Sequence, residues 1–149
     1  VDDDENVVLV HQYRHPVQRT LTELPAGLLD VAGEPALVTA QRELAEEAGL
    51  AAREWHVLVD ILNSPGMTDE AARVFLARGL TDVEREVQQH EEAELTTTRA
   101  ALDDVVRAVL AGEYENGLLV AGVLAADRAR ASGWSGLRAA DAPWAARPR

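Results

Sequence analysis

The chain contains no cysteine and no lysine, and it has a single methionine and a single phenylalanine. Without cysteine, disulfides and thiolate zinc sites are excluded. Without lysine, a Walker phosphate loop and Schiff-base chemistry are excluded as well. No apolar run reaches transmembrane length, and no basic-then-apolar start resembles a signal peptide. No glycine-rich dinucleotide fingerprint follows a predicted strand, and no internal repeat is visible. The expectation is a soluble cytoplasmic protein with no membrane partner.

What the sequence has in excess is negative charge. Its 26 acidic residues face 14 basic ones, all arginine, for a net charge of −12 over 149 residues. Such a body repels the phosphate backbone, so no nucleic-acid partner is expected. A small phosphorylated substrate is compatible with this charge if divalent cations mediate the contact. The length, with 47% apolar residues, fits one domain with a real core. The chain starts at Val1 and almost at once enters "VVLVHQYR", which suggests that an N-terminal portion is missing.

Val7 to Arg14 reads as a strand and "LTELPAG" as a short second one, ended by Pro25 and Gly27. After the loop "LLDVAGE", Pro35 suits an early helical position, and the helix runs to Gly49. Leu37, Ala40, Leu44 and Ala48 make its apolar stripe. Trp55–Leu62 and Ala72–Leu80 are strand candidates around the turn "NSPGMTDE". An acidic loop, Asp82–Glu94, leads to a strand in "AELTTTR". "ALDDVVRAVLAG" and "NGLLVAGVLAADRARA" read as helices, the second capped by Asn116. From Ser132 onward no period is visible, and a loose tail is expected. This order fits a mixed α/β sandwich rather than a doubly wound sheet. It predicts a domain over residues 1–131 and a tail over 132–149.

Within "RELAEEAGL" (Arg42–Leu50), Glu43, Glu46 and Glu47 crowd one helix. Acidic runs on helices are usually solvated faces. Here, however, Glu43 and Glu47 lie one turn, ~6 Å, apart, and like charges so placed destabilise a helix by ~0.2–0.5 kcal/mol. The dipole disfavours negative charge at the helix C-terminus too. A hard divalent cation bound by carboxylates would reverse both effects.

Gly27, Glu34, Arg42, Glu43, Leu44, Glu46, Glu47, Gly49 and Leu50 together resemble the Nudix box, G-x5-E-x7-R-E-U-x-E-E-x-G-U, where U is a bulky apolar residue. Chance would produce the core R-E-x-x-E-E-x-G in such a chain only about 1 time in 5,000, so coincidence is set aside. One departure stands out: six residues, not five, separate Gly27 from Glu34. For Glu34, favourable charge at a helix N-terminus is an equal alternative to a functional role.

The resemblance implies a Nudix-type α/β/α sandwich with a mixed sheet. It implies Glu43, Glu46, Glu47 and the Ala26 carbonyl as ligands of Mg2+, with Mn2+ as the alternative. Arg42 would orient the glutamates. The chemistry implied is water attack on a nucleoside diphosphate linked to another moiety, and Glu46 joins the catalytic set. Pro65, about fifteen residues beyond Leu50, together with "VHQYRHP" and "ELPAGLLD", is similar to the ADP-ribose pyrophosphatase subgroup. In that subgroup a loop glutamate acts as general base; Glu92 is the candidate and Glu91 the runner-up, each against a solvated-charge alternative.

Arg14 and Arg19 would meet phosphate or ribose, or else be edge-strand arginines. Tyr13 would stack on adenine or belong to the core, and Glu23 joins the substrate-binding set. The implied activity is hydrolysis of ADP-ribose to AMP and ribose 5-phosphate by a homodimer. The alternatives are hydrolysis of another nucleoside diphosphate sugar, or a non-catalytic Nudix-fold sensor of ADP-ribose.

Overall fold

The computed structural model describes residues 1–84 and 95–146. Strand β1 (Asn6–Arg14) turns through a 3-10 segment (His15–Val17) into β2 (Arg19–Glu23). Helix α1 (Ala36–Ala48) follows, then the long strands β3 (Leu50–Leu62) and β4 (Ala71–Asp82). After these come β5 (Thr96–Ala101), α2 (Leu102–Leu110), α3 (Gly117–Ala131) and a two-residue strand β6 (Arg138–Ala139).

The strands form two three-stranded sheets, ordered β2-β1-β5 and β4-β3-β6. The expected α/β sandwich is present. Among the described residues all four strand pairs are antiparallel; β1–β2 and β3–β4 are joined by short connections, whereas β1–β5 and β3–β6 pair over long sequence separations. Strand β1 sits in the middle of its sheet and is covered on both faces. Val7 and Leu9 pack with Leu102, Val105, Leu119 and Val123 from α2 and α3. Val8 packs with Leu44 of α1 and Leu50. This two-sided burial explains the unbroken run "VVLV", where a half-exposed strand would alternate. Leu9, Leu102 and Leu119 are almost wholly enclosed, and each contributes about 1.5–3 kcal/mol through burial.

The predicted helix is present with small changes. Pro35 holds an extended conformation at the N-cap instead of lying inside the helix. Of the predicted stripe only Leu44 is buried; Thr39 and Glu47 are the other buried residues of α1. Gly49 closes the helix in the left-handed region at φ 65°, its N–H donating to the Ala45 carbonyl. Strand β3 starts at Leu50, earlier than the predicted Trp55, so Trp55 lies within it and packs beside the α1 core. Asn116 caps α3 as expected, its side chain accepting the Leu119 N–H at 3.0 Å.

Against the expectation of a loose tail, the described part of the segment after Ser132 is docked at residues 138–144. Strand β6 pairs with His56 and Val57 of β3. Arg73, its side chain only 5% exposed, forks onto Asp60 at 2.7 and 3.0 Å and donates to the carbonyls of Ala142 and Pro143. Its guanidinium also lies over the Trp144 ring. Hydropathy periodicity misses this docking because arginines hold the segment, not an apolar stripe. Among the described residues no helix is long and apolar enough to cross a membrane.

Candidate active site

Between the sheets and helices lies a cleft of about 1250 Å³, whose wall includes Arg14, Glu23, Ala26, Gly27, Glu43 and Glu47. Each of these residues is positioned by backbone the sequence specifies. Pro25 and Gly27 end β2 and carry the chain across the face of α1. There the Ala26 N–H donates to Glu47 Oε2 at 2.9 Å. Gly27 approaches α1 so closely that a Cβ on it would fall 2.0 Å from the carboxyl carbon and Oε1 of Glu43. Glu43 and Glu47 are one turn apart on the helix, so the loop backbone and two carboxylates share one small space.

Arg42 supplies the counter-charge. Its Nη1 donates to Glu43 Oε1 at 2.8 Å and to Glu46 Oε2 at 3.0 Å, and its Nη2 reaches Glu34 Oε2 at 3.4 Å. Burial works against the guanidinium's charge, but the bonds to Glu34, Glu43 and Glu46 outweigh it and raise the Arg42 pKa. Glu34, despite the extra residue before it, reaches this cluster. The Thr39 hydroxyl donates to its Oε2 at 2.6 Å. That bond is the largest cause of a carboxyl pKa below the usual range; burial opposes it and Arg42 adds to it. Sequence reading missed Thr39, although a hydroxyl residue among the apolar residues of a helix is a visible signal.

The remaining candidates divide between the cleft and the outer surface. Glu23 is 4% exposed and accepts a bidentate fork from Arg14, at 2.9 Å from Nε and 2.7 Å from Nη2. Successive strand residues point to opposite faces, so Tyr13 faces away from Gln12 and Arg14. It is 50% exposed and stands outside the cleft wall, its ring 6.4 Å from that of His15. Arg19 also lies outside the wall and pairs with Glu115 at 2.5 Å. Glu46 is held by Arg42 and is not in the wall. Trp144, in the supposed tail, does line the cleft. Glu91 and Glu92 lie outside the described residues.

Among the described residues no three histidine, aspartate or glutamate side chains converge into a ready-made cation site. The donor chemistry nonetheless fits a hard divalent ion: carboxylate oxygens on one helix face, with a loop backbone drawn against them by a glycine that leaves no room for Cβ.

Such a carboxylate-lined helix, facing a glycine loop in the cleft of an α/β sandwich, is the arrangement that the Nudix-box resemblance implies. The NUDIX domain family matches residues 1–118. The chain belongs to the Nudix hydrolase family. It is 49% identical over 148 residues to the ADP-ribose pyrophosphatase of Mycobacterium tuberculosis, covering 99% of this chain and 71% of that protein. It is 36% identical to the ADP-ribose pyrophosphatase of Bacillus subtilis, covering 73% of this chain and 58% of that one. It is also 33% identical to a methanol dehydrogenase activator of Bacillus methanolicus, covering 72% and 57%. The solved structure of an ADP compounds hydrolase shares the fold with a TM-score of 0.77 at 19% identity, covering 89% of this chain and 71% of that one.

Proposed function

We propose that this protein hydrolyses the diphosphate linkage of ADP-ribose to AMP and ribose 5-phosphate, with Mg2+ as cofactor and Mn2+ able to replace it. The observation that carries this reading is the stacking of Glu43 and Glu47 against the Ala26–Gly27 backbone inside the cleft. The 49% identity to an ADP-ribose pyrophosphatase supports the choice of substrate. The chain spans only a little over half the length of two other relatives.

Glu43, Glu46, Glu47 and the Ala26 carbonyl would hold the cation. When bound, divalent ions neutralise a diphosphate, polarise its oxygens and lower the pKa of an attacking water. Arg42 keeps Glu43 and Glu46 oriented. Arg14, fixed by Glu23, meets a phosphate of the substrate through charge-assisted bonds. Glu92, or failing that Glu91, takes the proton as the water oxygen bonds to phosphorus and the second phosphate departs as a monoester. No covalent bond to the chain forms. The reading also includes a cytoplasmic homodimer, which sedimentation of the purified protein would test.

A panel of nucleoside diphosphate sugars, assayed with Mg2+, should show ADP-ribose cleaved fastest. A faster rate on another sugar would move the assignment to that substrate. ADP-ribose binding without cleavage under any divalent ion would make the protein a sensor. Glu92→Gln should lower kcat by about 10²- to 10⁴-fold with little change in KM. If Glu91→Gln does this instead, the base is Glu91.

A further inference from the structure

The extra residue between Gly27 and Glu34 poses a geometric problem that the structure solves in two steps. Val31 to Glu34 form a turn in which the Glu34 N–H donates to the Val31 carbonyl at 3.1 Å. Gly33 takes φ 81°, the left-handed position that such a turn requires and that glycine adopts without strain. This brings Glu34 to the start of α1, where no side chain caps the helix. The buried Thr39 hydroxyl then fixes its carboxylate from within the helix at 2.6 Å.

We propose that Thr39 is a positioning residue for the cation-binding glutamates, acting through Glu34 and Arg42. The inference rests on the cation site assigned above. Arg42 is an internal competitor for the oxygens a cation needs, since its Nη1 bonds to both Glu43 and Glu46. Glu34 draws Nη2 away from those two carboxylates. A guanidinium released from Glu34 would turn its planar fork onto one of them, and bidentate pairing of this kind is the tighter arrangement. An incoming divalent ion would then have to displace a stronger rival. Thr39 sets the strength of that rivalry without touching cation or substrate.

The test is calorimetric titration of the protein with Mn2+ alone, which needs neither substrate nor turnover. Thr39→Val keeps the shape and removes the hydroxyl; it should weaken Mn2+ binding about tenfold, as loss of an outer partner does. Thr39→Ser restores the donor and should bind as the unaltered protein does. In a Glu34→Gln background, Thr39→Val should weaken binding no further. Wild-type affinity in Thr39→Val, or additive losses in the double variant, would overturn the proposal. So would a loss in Thr39→Ser equal to that in Thr39→Val, which would mark a packing role. If the protein binds Mn2+ with this pattern but cleaves no nucleoside diphosphate sugar, the functional reading fails and the role of Thr39 stands.

Discussion

Glu47→Gln should lower turnover by more than about 100-fold while leaving the protein folded, with a thermal midpoint unchanged or slightly raised. Glu47 is 8% exposed, and its carboxylate is fastened to the Ala26 N–H. The amide oxygen of glutamine can still accept that bond, so the loop keeps its anchor. What disappears is the negative charge. A neutral amide is a poor ligand for a hard cation compared with a carboxylate. Removing the charge also relieves repulsion between Glu43 and Glu47, worth ~0.2–0.5 kcal/mol on a helix. Activity and stability should therefore move in opposite directions. Steady-state kinetics beside calorimetric unfolding measures both. Full activity would remove Glu47 from the cation site, and collapse of the fold would make its role structural.

The second large effect is expected at Gly27. A methyl group there would sit 2.0 Å from the Glu43 carboxylate, far inside van der Waals contact. The clashing atoms are the far end of a flexible side chain, so Glu43 can swing aside at little cost to the fold. In doing so it leaves the space it shares with the loop. Gly27→Ala should keep the thermal midpoint within a few degrees and cut turnover by about 10- to 100-fold. A higher concentration of divalent ion should restore part of the loss. Wild-type activity at low divalent concentration would show that the proximity of Gly27 to Glu43 has no bearing on the reaction.

Much of this was legible from local chemistry. The alternation of strand and turn residues placed β1, β2 and β4 to within a few positions, and Gly49 and Asn116 marked helix ends because capping depends on the residue itself. The box spacing puts Glu43 and Glu47 one turn apart, since helical rise alone fixes it. Long-range pairing was less legible. Nothing in "RASGWSGLRAADAPW" announces that Arg73 and Asp60, some seventy residues upstream, will gather it onto β3 and β4. Tyr13 and Arg14 are neighbours in sequence, yet the pleat sends only Arg14 into the cleft wall. Thr39 looked like one more helical residue until its hydroxyl was seen against Glu34. The pattern names candidate residues; the contacts among those of the cleft depend on how the loop from Pro25 to Pro35 folds.

The most direct test is to incubate the protein with ADP-ribose, with and without Mg2+, and separate the products by chromatography. The expected result is AMP and ribose 5-phosphate in equal amounts, formed only with the cation and not by Glu47→Gln. AMP released at the same rate without any divalent ion, or by Glu47→Gln as fast as by the unaltered protein, would contradict the cation site on which the whole account rests.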